Sequence, residues 1–158
     1  HLVISTLHTK DAPSALTRLF KLGVAPYLIK ATVLGIMAQR LVRTLLSECK
    51  AIADPDPEGW KALASPWKVN APKIMYKPVG CLERCDIGYR GREGIYELLP
   101  MTDKIKSLID ETADIGKLRM GGMKEGMRTL RLAGALKVAS GITTVEEVLR
   151  VAPFSGTE

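Results

Sequence analysis

The first nineteen residues constrain the fold most. Leu2, Val3 and Ile4 form a short apolar run with two β-branched residues, the composition of a strand buried on both faces of a helix-covered parallel sheet. The run breaks into Ser5, Thr6, His8 and Thr9, and open α/β sheets place their ligands at the carboxyl ends of such strands. Asp11 follows as an N-cap with Pro13 in the first helical turn, where a missing N–H costs nothing. Leu16, Leu19, Phe20 and Leu22 recur at helical spacing, and Gly23 ends the helix. The chain therefore opens as strand, polar tip and helix, with an imidazole at the tip. On pattern alone, a histidine at a strand end is more often an ordinary surface residue than a functional one.

Beyond Gly23 the pattern predicts a second helix from Pro26 through Leu45, apolar around much of its circumference, with Gln39 and Arg40 as polar exceptions. Residues 47–80 change character. Asp54-Pro-Asp-Pro57 is a turn signal, Pro57 to Ala64 a short helix with Trp60 and Leu63 on one side, and Lys73 to Lys77 a short strand. Gly88-Tyr-Arg-Gly-Arg92 is a glycine-punctuated turn whose Arg90 and Arg92 are either solvated charges or subunit-interface residues. It feeds a strand through Ile95, Tyr96, Leu98 and Leu99. Thr102 caps a helix over 103–111, and helices follow over 114–124 and 129–140. Met120, Met123 and Met127 read as core packing or, failing that, as a partner surface. Thr143-Thr-Val-Glu146 reads as the capping box of a last helix ended by Pro153.

The chain has 158 residues, 46% hydrophobic and 25% charged, so a globular domain with a sizeable core is expected rather than a disordered segment. The formal charge of +6 favours anionic partners but is spread along the chain without a basic tail. No leader sequence is visible, and a start inside an apolar strand without Met reads as a fragment of a longer protein. The best membrane-span candidate, 27–46, is broken by Lys30, Gln39, Arg40 and Arg43. Three cysteines without a leader point to free thiols or metal in a reducing compartment. The pattern G-x-x-x-x-G-K-[ST] is absent, as is an acidic strand end suited to Mg²⁺, so the chain is not a self-sufficient P-loop NTPase.

The stretch His1-Leu-Val-Ile-Ser-Thr-Leu-His8-Thr-Lys-Asp-Ala resembles the His box of the secretion ATPases, which comprise the type II secretion E proteins and the type IV pilus assembly ATPases. The likeness continues through Ala38-Gln-Arg-Leu-Val-Arg43, Gly88-Tyr-Arg-Gly-Arg92, Gly94-Ile-Tyr-Glu-Leu98, Glu125-Gly-Met-Arg-Thr-Leu130 and Gly141-Ile-Thr-Thr-Val-Glu-Glu-Val148, nearly the whole chain in order. The resemblance implies an α/β fold: the back half of a RecA-like ATPase core of few, mostly parallel strands with helices. The expected divisions are a His-box segment over 1–46, an inserted cysteine-bearing subdomain over 47–92, and a returning strand with C-terminal helices over 93–158.

It further implies ATP hydrolysis with Mg²⁺ by the full-length protein, with the P-loop upstream and this piece inactive alone. His8 would meet the γ-phosphate, His1 is the second histidine of the box, and Arg40 either snorkels to solvent or serves at the nucleotide or subunit interface. The family commonly binds Zn²⁺ through two Cys-x2-Cys pairs. Here Cys49, Cys81 and Cys85 are the candidate ligands, but Leu46 replaces the first cysteine and the second pair is spaced Cys-x3-Cys, one thiolate short of a closed site; a carboxylate such as Asp86 or Glu48 could complete it, although oxygen ligands are uncommon in such sites. The implied partners are the protein's own subunits in a hexameric ring and inner-membrane secretion or pilus platform proteins, in the cytoplasm at the inner membrane. The cysteine-bearing insertion fits secretion and assembly rather than pilus retraction. Type II secretion is the first reading and type IV pilus assembly the alternative. A reading from another class is a non-catalytic basic binding or docking module. For nucleic acid, the few aromatics show no stacking pattern and the basic residues are not concentrated, so no nucleic acid is expected.

Overall fold

The structure, a computed structural model, describes residues 1–80, 87–110 and 112–153. The elements run α1 (Ala12–Lys21), α2 (Pro26–Thr32), β1 (Gly35–Leu45), a 3₁₀ turn (Ser47–Cys49), β2 (Lys50–Ala53), α3 (Pro57–Ala64), β3 (Met75–Pro78), β4 (Tyr89–Pro100), α4 (Asp103–Ser107), α5 (Ile115–Lys124), α6 (Leu130–Ala139) and α7 (Val145–Val151). The chain is mixed α/β, and its described strands form two two-stranded sheets, β1 with β4 and β2 with β3.

Both sheets are antiparallel, where mostly parallel strands were expected. In the first, Leu34 at the start of β1 accepts from Met101 N–H just past the end of β4, at 3.1 Å. Thr44 near the end of β1 donates to Arg90 O near the start of β4. In the second, Lys50 pairs with Pro78 and Ala53 with Met75.

Two further expectations fail at identifiable places. The helix anticipated from Pro26 to Leu45 stops at Thr32 and gives way to β1. Gly35 and the β-branched Val33, Ile36, Val42 and Thr44 disfavour helix and suit a pleated strand. Ile36, Ala38, Arg40 and Val42 are covered, whereas Gly35, Met37, Gln39 and Leu41 face solvent, the period of two of a strand and not the all-round cover of a buried helix. Residues 1–9 adopt no strand, and Leu2 and Ile4 are 78% and 89% exposed. A strand is made by hydrogen bonds to a neighbour, and among the described residues none runs beside this run.

The chain divides into two compact units, 1–38 with 97–129, and 39–96 with 130–154; the division falls inside both β1 and β4. In the first unit, α5 packs against α1 and α4, burying Leu16, Ile105, Ile109 and Leu118 with Ile29 and Leu99. Gly122 makes the approach of α5 possible, because a Cβ there would lie 2.8 Å from Leu99 Cδ1. Met127 is buried beside it, whereas Met120 is exposed, so the methionines divide between core and surface.

In the second unit, α3, α6 and α7 pack on one another and α6 also meets β3. Their shared core includes Trp60, Leu63, Val138 and Val148. The indole of Trp60 donates to Val69 O at 2.8 Å, tying the irregular stretch after α3 to the helix. Thr144, not Thr143, caps α7 by accepting from Glu147 N–H at 3.3 Å. The cap therefore lies one residue later than expected, the Glu147 carboxylate turns to Arg43 and Arg150 rather than back to the cap, and Thr143 instead donates to Arg43 O at 2.8 Å.

Candidate functional site

His8 lies in the first unit, exposed, on the extended stretch that leads into α1. The junction just after it is rigidly built. Asp11 caps α1, its Oδ1 accepting from Ser14 N–H at 2.9 Å. Its other oxygen accepts from Arg119 Nη2 on α5 at 2.6 Å. Glu97 on β4, 3% exposed, accepts the N–H of Ala12 at 2.8 Å. A helix N-terminus leaves its first N–H groups without internal partners and carries partial positive charge. Two carboxylates satisfy both demands here. Burial pushes the Asp11 carboxyl up, but the Ser14 hydrogen bonds and the Arg119 guanidinium outweigh it and hold Asp11 below its ordinary range. Thr9 donates to Asp11 O at 3.2 Å, so the fixed structure reaches to the residue after His8. The ring itself projects from a pinned base.

His1 shares the exposed stretch. Arg40 belongs to the second unit, on β1, where it is half-buried and donates to Gln39 O at 2.7 Å. Cys49, also in the second unit, is 3% exposed. Its carbonyl accepts Val79 N–H at 2.8 Å, which brings it beside the chain two residues before Cys81. Cys81, Cys85 and Asp86 lie outside the described residues. Leu46 has no donor atom for a metal, so the three thiolates do not fit the four-thiolate zinc site. Among the described residues no group of three potential ligands gathers.

The second unit holds a cluster that pattern reading passed over. Glu147 on α7, 2% exposed, accepts from Arg43 on β1 through both its backbone N–H, at 3.2 Å, and its guanidinium. It also accepts from Arg150 Nε and Nη2, at 3.2 and 2.9 Å. The hydrogen bond from Arg43, joined by those from Arg150, holds the carboxyl at about 2 despite its burial. The Arg43 guanidinium stacks on the Tyr89 ring, 4.3 Å from its centroid. The Tyr89 hydroxyl lies 3.0 Å from Thr144 Oγ1, and burial raises its pKa. One carboxylate thus ties β1, β4 and the start of α7 together. A readable signal existed in Glu97, set among Ile95, Tyr96, Leu98 and Leu99 of a strand run, and in Glu147, at helical spacing with the apolar Val148 and Val151. A charge at such a position is paired when buried.

Comparison with known proteins agrees with the motifs. The family model described as Type II/IV secretion system protein matches residues 1–150. The chain is 47% identical over 155 residues to the type IV pilus assembly ATPase TfpB of Acinetobacter baylyi, covering 98% of this chain and 26% of that protein. It is 44% identical over 150 residues to the type IV pilus assembly ATPase PilB of Thermus thermophilus, covering 94% of this chain and 17% of that protein. It is 43% identical over 151 residues to the type II secretion system ATPase E of Vibrio cholerae, covering 96% of this chain and 29% of that protein. The chain spans less than a third of the length of these relatives. A single family model across nearly the whole chain, with relatives well above 40% identity, places the chain in the Type II/IV secretion system protein family.

Proposed function

We propose that this chain is the back portion of a RecA-like ATPase core, within a hexameric motor that drives pseudopilus assembly in type II secretion. The observation that carries the reading is the family match over residues 1–150. Related proteins named as ATPases match this chain over less than a third of their own length, so the P-loop and Mg²⁺-binding acid that this chain lacks belong to the remainder. ATP with Mg²⁺ supplies the phosphoryl group to be transferred. This chain supplies His8, exposed on a base pinned by Asp11, Glu97 and Arg119. Phosphoryl transfer relies on positioning and charge stabilisation, and an imidazole N–H carried next to that base can contribute to both. His1 is its companion on the same stretch, and Arg40 acts at the nucleotide or subunit interface. The motor works in the cytoplasm, peripheral to the inner membrane, against platform proteins. Among the described residues no helix is long and apolar enough to cross a membrane.

Pilus assembly is the second reading, favoured by the 47% identity to a pilus assembly ATPase. The test of the common core is His8→Ala in the full-length protein. Turnover should fall by roughly 100-fold, the scale of removing one charge-stabilising donor, with ATP binding retained. Unchanged turnover would remove His8 from the chemistry. ATPase activity of the 158-residue chain alone, abolished by the same change, would overturn this division of the active site.

A further inference from the structure

A cleft of about 430 Å³ in the second unit is lined by Leu41, Arg43, Arg92, Arg150 and Val151. The lining draws Arg43 from β1, Arg92 from β4 and Arg150 from α7 to one concavity. Among the described residues the carboxylate paired with Arg43 and Arg150 is that of Glu147, whose side chain is only 3% exposed. Those ion pairs hold two guanidiniums in place while each keeps further N–H donors, since a guanidinium carries five. Arg92 is exposed, and no hydrogen bond, ion pair or ring contact of its side chain occurs among the described residues. Its neighbour Glu93 is taken by Lys137. Arg43 Nε is buried without an acceptor among the described residues. Among the described residues the cluster therefore holds more donors and more positive charge than its partners answer. Like charges gathered in a concavity repel, and a multivalent anion relieves the repulsion.

We infer that this cleft binds a small phosphate-bearing anion, of the class of a diphosphate, through Arg43, Arg92 and Arg150. Guanidinium groups match phosphate oxygens two by two, which a lysine cluster does not. Leu41 and Val151 supply an apolar wall, and the volume lies in the range of small-ligand sites. The site lies in a different unit from His8 and stands whether or not His8 serves in ATP hydrolysis. Pyrophosphate and a lipid headgroup share the chemistry, but the cleft's size commits the site to the free ion.

Calorimetric titration of the 158-residue chain with pyrophosphate tests the site. Saturable one-to-one binding that weakens with added salt is expected. Arg92→Gln, which breaks no contact among the described residues, should weaken it by roughly tenfold, the scale of a charge-assisted pair. Arg90→Gln, outside the cleft lining, should change it by less than about twofold, as a screened surface charge would. Should Arg92→Gln fail to fold, Arg150→Gln carries the same expectation. Absence of saturable binding overturns the site. So does equal weakening by Arg92→Gln and Arg90→Gln, which marks diffuse attraction. Capture by phosphatidylglycerol vesicles without pyrophosphate binding likewise overturns it in favour of a membrane surface.

Discussion

Asp11 in the first unit and Glu147 in the second occupy comparable positions: each is a buried acid near the start of a helix, and each is paired with arginine. Their surroundings differ in charge. Around Asp11, one arginine meets a cap carboxylate, and a second buried acid, Glu97, holds the next N–H. Acid dominates, as a helix N-terminus requires, and the cluster fixes local backbone. Around Glu147, two arginines meet one acid and a third lines the same cleft. Base dominates, and the cluster ties separate elements together while offering cationic surface. The same pairing chemistry thus builds a pedestal in one unit and an anion-seeking seam in the other. The counting of acid against base decides which.

Removing Glu147 should break the comparison most severely. Glu147→Ala leaves Arg43 and Arg150, whose side chains are 39% and 59% exposed, without their buried carboxylate, and solvent around the two guanidiniums tempers the loss to about 2–3 kcal/mol, below that of a fully buried pair. Urea denaturation should show that loss, and hydrogen exchange should place the first opening in residues 39–96 and 130–153. A loss below about 1 kcal/mol would make the cluster a surface ornament.

The same carboxylate predicts an acid dependence. Its folded-state pKa of about 2 lies below the unfolded value near 4.5, so its contribution is complete above pH 4.5. It declines as pH falls towards 2 and the unfolded chain takes up the proton more readily. Allowing for solvent around the two arginines, the term is about 2 kcal/mol. Stability measured from pH 6 down to 2 should fall by about this amount more in the wild type than in Glu147→Gln, which keeps the acid loss that comes from Asp11.

Packing gives the next effect. A Cβ on Gly134 of α6 would lie 2.2 Å from Val148 Cγ1 on α7, so Gly134→Ala should cost about 2 kcal/mol by overpacking. Adding Val148→Ala should recover part of it. Asp11→Ala follows at about 1 kcal/mol, the scale of a lost N-cap, with its exchange effects confined to the first unit. If both Asp11→Ala and Glu147→Ala loosened both units equally, the two clusters would not be the separate devices described above.

How much of this could be read from residues follows the range of the interactions. Asp11 as cap, Pro57 to Ala64 as helix and Gly141 after α6 are local matters of turn chemistry, and the structure carries them as expected. Strand direction, and the fate of Leu2 to Ile4 and of residues 35–45, depend on neighbours distant in sequence. There, short apolar runs read equally as helix or strand. The arginine cleft escaped for the same reason. Arg43, Arg92 and Arg150 are far apart along the chain, and each alone is an unremarkable surface charge. Zinc was a matter of counting ligands. Leu46 against Cys49 leaves the set one short, so metal analysis should find clearly less than one zinc per chain.

His8→Ala should have the smallest effect on folding. The ring is exposed and lies outside the Asp11, Glu97 and Arg119 network, so stability should stay within about 0.5 kcal/mol of the wild type, as for surface substitutions generally. That indifference sharpens the contrast with Asp11, only three residues along. The acid is bound inside the fold, whereas the imidazole makes no hydrogen bond among the described residues and faces solvent. A stability loss from His8→Ala as large as that from Asp11→Ala would show the ring to be part of the helix start. A fall in turnover of the full-length variant would then no longer separate chemistry from scaffold.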